Sequence, residues 1–176
     1  ARAVRHAVAT HARVYAGALG DGEATLAELG CIASFPGAER QAVHSDVDYD
    51  EAARRIFTTF VALQDVRPAM GPTLVWPGTH TAFFCGFYKP RMLGPADPYY
   101  GEKVPLGPCL RAGDALLLDT RAMHCGGANE SETPRFLLHY SFESAAESET
   151  PVGFTRNLHP SLRGPGTRSL REFLPE

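Results

Sequence analysis

Two histidines and one aspartate stand out for the chemistry they can do together: His44 and Asp46 in the triplet His44-Ser45-Asp46, and His124 much later. In an extended segment residues i and i+2 point to the same side. His44 and Asp46 therefore aim together, and Ser45 turns away. With His124 from a distant strand they supply two imidazole nitrogens and a carboxylate oxygen. That donor set leaves positions open on a non-haem Fe(II) ion. An HxD triplet alone arises by chance in many chains. The later histidine, on a strand entered through Gly113-Asp114, and an arginine after it narrow the reading. Arg135 lies eleven positions beyond His124, directly after Pro134. Its guanidinium is a planar fork matched to a carboxylate, and such a pair contributes roughly 1.5–3 kcal/mol. A metal-bound 2-oxo acid with a second carboxylate needs such an anchor; the plainer role for Arg135 is a surface cation flanking a strand.

Other candidates have blander expectations. Cys125 adjoins His124, but neighbouring strand residues point oppositely, which argues against a thiolate ligand. His80 follows the Pro77-Gly78 turn and is expected to make a structural hydrogen bond. His139 lies four positions after Arg135 on the same face, from which it could look into the pocket, and a satisfied core histidine is the expectation. Phe83, Phe84 and Phe87 are expected in core or wall, and Asp114 and Asp119 at turn and rim.

These residues must be positioned by mostly extended elements. Strands are expected over 29–35, 56–63, 73–76, 115–118 and 136–138, with 40–47 extended and Pro- or Gly-containing turns between them. Residues 113–142 form a tight hairpin in this reading, with His124 and Arg135 on its neighbouring strands. Residues 50–55 suit a helical turn, 89–108 a long surface or lid loop, and 168–174 a short helix. Residues 1–20 contain Arg2, Arg5 and Arg13 and no acid, as transit peptides do. Val4, Val8, Ala12, Tyr15 and Leu19 nevertheless fall on one helical stripe, so a helix packed on the domain is expected, ending at Gly20-Asp21-Gly22. Many short strands and few helices point to a mainly β jelly roll and exclude a doubly wound α/β fold.

The 176 residues suit one domain spanning 1–176. A net charge of −3 and a pI near 6.2 give no footprint for nucleic acid or an anionic membrane. No apolar stretch reaches bilayer length. Cys31, Cys85, Cys109 and Cys125 form no CxxC pair, which suits reduced thiols and a cytoplasmic setting. The chain starts at Ala1 rather than Met, as a processed or truncated piece would, and an organellar signal lost in this way fits too.

The chain resembles the phytanoyl-CoA dioxygenase family of Fe(II)/2-oxoglutarate-dependent oxygenases. The resemblance rests on Pro36-Gly37-Ala38, Gln41, His44-Ser45-Asp46, Ala62-Leu63-Gln64-Asp65-Val66, Gly71-Pro72, Pro77-Gly78-Thr79-His80, Gly113-Asp114-Ala115, His124, Gly126, Asn129, Ser131 and Arg135, covering about 25–142. It implies a double-stranded β-helix, with Fe(II) on His44, Asp46 and His124 and the far carboxylate of 2-oxoglutarate on Arg135. Phe60 matches a position that lines the cosubstrate pocket. With O2 as co-reactant, the implied activity is hydroxylation of a small-molecule C–H bond, releasing succinate and CO2. Relatives that halogenate lack the carboxylate, so Asp46 implies hydroxylation. Gly126 stands where some members carry a Ser that helps bind the cosubstrate. Two readings outside this one are a non-catalytic jelly roll that keeps a metal or small acid, and a cupin-type metal enzyme that does not use 2-oxoglutarate. Cupins usually supply three His and a Glu, which this chain does not show.

Overall fold

A computed structural model of the chain describes residues 2–19, 23–48, 55–81, 92–93, 104–145, 157–158 and 169–174. Helix α1 (Arg2–Leu19) precedes eight strands: β1 (Thr25–Ser34), β2 (Val43–His44), β3 (Ile56–Ala62), β4 (Thr73–Val75), β5 (Met92–Leu93), β6 (Ala115–Asp119), β7 (His124–Gly126) and β8 (Arg135–Glu143). They form two four-stranded sheets, ordered β1-β8-β3-β6 and β4-β7-β2-β5, with antiparallel pairing throughout. Every connection except β4 to β5 changes sheet, so the chain winds as a double-stranded β-helix. The mainly β jelly roll with an N-terminal helix is the fold found.

Strand β8 shows how alternation builds the site. Tyr140 and Phe142 point outward and are fully buried under α1 with Val8, Ala12, Tyr15 and Leu19, none more than 4 % exposed. That is the predicted stripe, and each large side chain so buried contributes roughly 1.5–3 kcal/mol. The Tyr15 hydroxyl reaches Thr59 Oγ1 at 2.8 Å and the Tyr140 carbonyl at 3.2 Å. Burial pushes its pKa above the ordinary range, so it stays a neutral phenol. Arg135, Leu137 and His139, on the alternate positions of β8, point the other way and line a pocket between the sheets.

Several expectations needed correction. Residues 113–142 are not a hairpin: β3 pairs with both β6 and β8 and separates them. His124 sits on β7 in the opposite sheet from Arg135, so the two face each other across the barrel. The 40–47 segment is strand only at Val43–His44, and Asp46 lies in the bend beyond it. Within 89–108, Met92–Leu93 pairs with β2, and Leu106 bridges to Val75. The C-terminal helix is a 3-10 turn at Leu170–Phe173. The expectations for Phe83, Phe84, Phe87, Cys85 and the helical turn at 50–55 fall almost entirely outside the described residues.

Strand β1 also starts earlier than expected. Its register against β8 shifts between Leu26 and Glu28, pairing Leu26 with Phe142 but Glu28 with Ser141. This bulge reverses the facing of the strand. Leu26 joins the outer core under α1, whereas Glu28, two residues on, points into the pocket.

Candidate metal centre

Strands β2 and β7 pair through a single register point, His44 opposite His124, and this sets the two rings side by side with centroids 4.6 Å apart. Asp46 curls back from the bend after β2, its backbone N–H donating to the Thr120 carbonyl at 2.9 Å. Its Oδ1 lies 3.8 Å from His44 Nε2 and 3.7 Å from His124 Nε2. Donor atoms of all three residues fall within 4.8 Å of one another. In each histidine Nδ1 lies against the carbonyl two residues back, Ala42 for His44 at 2.8 Å and Ala122 for His124 at 2.9 Å. Placing the proton on Nδ1 leaves the Nε2 lone pair free toward Asp46. Burial pushes the His124 pKa below its ordinary value, against the pull of Asp46, so the ring is held neutral. Two imidazoles and a carboxylate facing one point suit a divalent first-row metal such as Fe(II).

The strands carrying these groups are too short to hold them unaided. A turn following β4 does so: Trp76 N–H donates to the Met123 carbonyl, Met123 N–H donates to Thr79 Oγ1, and the Thr79 hydroxyl donates to the Trp76 carbonyl at 2.6 Å. Thr79 is completely buried, while His80 is exposed. The hydrogen-bonding role expected of His80 belongs to Thr79 among the described residues. On the other side of His124, Gly126 N–H donates to Gln41 Oε1 at 2.7 Å, and Gln41 N–H donates to the Gly126 carbonyl. A Cβ at Gly126 would come within 2.9 Å of Gln41 Oε1 and 3.3 Å of Arg135 Nη2. The space a serine would need here is taken by the Gln41 amide.

Arg135 is not a surface cation. It is 4 % exposed, and its Nε and Nη1 are buried without hydrogen-bond partners. Buried N–H groups left unpaired are costly, and on a pocket wall they mark the place of an acceptor. Burial alone pulls the guanidinium pKa down, yet the group remains charged. Phe60 on β3 is 7 % exposed, its ring centroid 6.4 Å from both His124 and His139. Both line the same pocket of about 500 Å³ as His44, Asp46 and His124. All five predicted site residues therefore meet in one cavity, His44 and His124 on one sheet with Asp46 in the bend after β2, and Arg135 and Phe60 on the other sheet.

Cys125, completely buried, points away from this cavity as expected. Other residues matter more than their types suggested. Gln64 brackets Arg135, donating to the Pro134 carbonyl and accepting from Phe136 N–H. Buried Asn129 ties the preceding loop to β1, donating to the Ser34 and Thr133 carbonyls. His139 is not a satisfied core histidine: its Nδ1 is buried with no partner, and the ring lies over the backbone of Gly30. Burial lowers its pKa, with Asp46 opposing. Strand alternation already put His139 on the face of Arg135, and Gln64 and Asn129 were among the residues of the family resemblance; their contacts needed the strand register.

Comparison with known proteins gives the chain its family. The methylphosphonate hydroxylase of Gimesia maris is 29% identical over 117 residues, 65% of this chain and 44% of that protein, so the chain spans less than half the length of this relative. The solved epimerase SnoN in complex with Fe3+, alpha ketoglutarate and nogalamycin RO matches with TM-score 0.62 and 25% identity, over 83% of this chain and 60% of that one. EvdO2 from Micromonospora carbonacea var. aurantiaca, complexed with 2-oxoglutarate, shares the fold at TM-score 0.62 and 21% identity, over 80% of this chain and 61% of that one. The family profile described as phytanoyl-CoA dioxygenase (PhyH) matches residues 1–137, more than three quarters of the chain. With its double-stranded β-helix and its His-Asp-His cluster, the chain belongs to the phytanoyl-CoA dioxygenase family of Fe(II)/2-oxoglutarate-dependent oxygenases.

Proposed function

We propose that the chain is a single domain, with a core at about 25–142, that hydroxylates a C–H bond of a small molecule and releases succinate and CO2. One observation carries this reading: a metal-type donor set and a buried arginine with two unpaired guanidinium nitrogens share a cavity. His44, Asp46 and His124 are the residues to hold Fe(II), and Arg135 is the one to take the far carboxylate of 2-oxoglutarate. With the cosubstrate and O2, iron in such a site supplies an oxidant for C–H bonds, one oxygen atom going to succinate and the other to product. The chain's own contribution is orientation. The carbonyls of Ala42 and Ala122 fix both imidazoles, and Gln64 fixes the backbone that aims Arg135. Phe60, Ile32 and Leu137 line the wall with apolar surface, which limits water around the reacting groups.

The test is anaerobic addition of Fe(II) and 2-oxoglutarate, read as a visible charge-transfer band, followed by O2 and a panel of small molecules with succinate as the product measured. A band and substrate-dependent succinate support the proposal. A jelly roll that only stores metal or a small acid would bind without consuming O2. An Arg135→Ala variant that binds 2-oxoglutarate as the wild type does would remove the role given to Arg135.

A further inference from the structure

The pocket wall has a second end that the proposed reaction leaves unused. On β1, Ser34 lies opposite Arg135 and Glu28 lies opposite Ser141. Glu28 is thus six residues along the strand from the arginine's level, roughly 20 Å at the ordinary strand rise. The bulge between Leu26 and Glu28 turns this carboxylate inward, where regular alternation would have put it under α1.

Its surroundings are polarised in one direction. The Ser141 hydroxyl donates to Glu28 Oε2 at 2.7 Å. Ser141 Oγ also lies 2.7 Å from Thr58 Oγ1, and since the Ser141 proton is already committed, Thr58 is the donor in that pair. The chain Thr58 to Ser141 to Glu28 spends its hydroxyl protons and ends on a carboxylate that retains free acceptor positions. Beside it, His139 brings a ring nitrogen with no partner. Among the described residues no Lys or Arg pairs with Glu28. A half-buried carboxylate facing a cavity with no countercharge lacks a partner it would normally have.

The charges of the loaded site sharpen this. The positive charges of Fe(II) and Arg135 would be met by Asp46 and the 2-oxoglutarate dianion. That leaves two carboxylates of the lining over, Glu39, which is exposed to solvent, and Glu28, which is half-buried and without a countercharge among the described residues. We propose, on the footing of the function above, that Glu28 is a specificity-determining residue that receives an ammonium group of the substrate. The Thr58–Ser141 pair orients its carboxylate, and His139 completes the wall. Burial holds the Glu28 carboxyl above its usual range, with Asp46 adding to the effect, and a bound cation would relieve both.

The test uses three probes of matched shape, benzylamine, benzyl alcohol and benzoate, titrated by calorimetry into the full chain, alone and with Fe(II) and 2-oxoglutarate under anaerobic conditions. The expected result is benzylamine binding at least about tenfold tighter than benzyl alcohol, as for a charge-assisted hydrogen bond. The preference should fall to within about twofold in Glu28→Gln and survive in Glu28→Asp. Glutamine can still accept from Ser141, so Glu28→Gln should keep the fold. Equal binding of amine and alcohol to the wild type, tighter binding of benzoate than of benzylamine once Fe(II) and 2-oxoglutarate occupy the Arg135 end, or an amine preference that survives Glu28→Gln would overturn the assignment. The 2-oxoglutarate affinity is measured in parallel. Its absence would count against the proposed reaction, while the amine titration of the chain alone would still decide the role of Glu28.

Discussion

The two sheets meet around one cavity but hold their functional groups by different means. In the β1-β8-β3-β6 sheet the paired strands β1 and β8 run ten and nine residues, and α1 covers the back. Arg135, His139 and Glu28 are set by this long register, like teeth on a rail. In the β4-β7-β2-β5 sheet, β2 and β7 have only two and three residues. There His44, Asp46 and His124 depend on links between turns, through Thr79, Gln41 and the Asp46–Thr120 backbone bond. The groups proposed to bind 2-oxoglutarate and substrate thus stand on the long-stranded half, and the proposed metal donors on the half fastened by individual hydrogen bonds. Stability and metal affinity should therefore be separable.

The strongest break in that comparison comes from His124→Ala, which should weaken Fe(II) binding by more than about 100-fold in anaerobic titration. Its denaturant stability should fall by less than half as much as that of Tyr15→Ala. The latter variant empties a fully buried site between α1 and the long sheet and should cost about 3–5 kcal/mol. Iron affinity per folded molecule should stay within about threefold of wild type in Tyr15→Ala. If iron affinity collapsed there as well, the two sheets would form one cooperative unit. Thr79→Ala tests the turn links directly: it should destabilise by about 1–3 kcal/mol and lower iron affinity while sparing 2-oxoglutarate affinity. Gln64→Ala should show the converse pattern, with weaker 2-oxoglutarate binding and unchanged iron binding.

The smallest expected effect is on pH dependence of the metal-free chain. His124 and His139 both have folded pKa values below their ordinary 6.5. Between the folded and unfolded values the unfolded chain binds more protons, so stability rises with pH. The stabilisation is present above about pH 6.5 and is lost as pH falls toward the folded values. Glu28, with a raised pKa, acts oppositely: its folded form binds more protons above the ordinary 4.5. Denaturation curves between pH 7 and 5 should show a net loss toward acid that steepens in Glu28→Gln and flattens in His139→Leu.

The α1 stripe, the inward alternation of Arg135 and the convergence of His44, Asp46 and His124 were all legible in residue order, because they depend on local periodicity and on donor chemistry. The hairpin assigned to 113–142 shows where that legibility stops. Chain proximity suggested that β6 and β8 were neighbours, but long-range pairing with β3 separates them. The His44–Asp46 argument reached the correct pairing from a premise only half right, since Asp46 lies in a bend. Glu28 could not be placed at all, because a single bulged residue decides its facing, whereas His139 was put on the face of Arg135 but not seen to lie without a partner, over a Gly30 whose missing Cβ makes room for it.

One consequence follows from the carbonyls of Ala42 and Ala122 that hold the two imidazoles. In many metal sites a neighbouring carboxylate fixes the outer nitrogen of each histidine, and replacing it changes how strongly the ring donates. Here that partner is main chain, which no side-chain replacement removes. The electronic character of the two nitrogen donors is insulated from mutation around them. Variation that tunes reactivity must enter through Asp46, through Arg135 and its bracket, or through the pocket wall, and the metal can stay the same while the molecule it attacks changes.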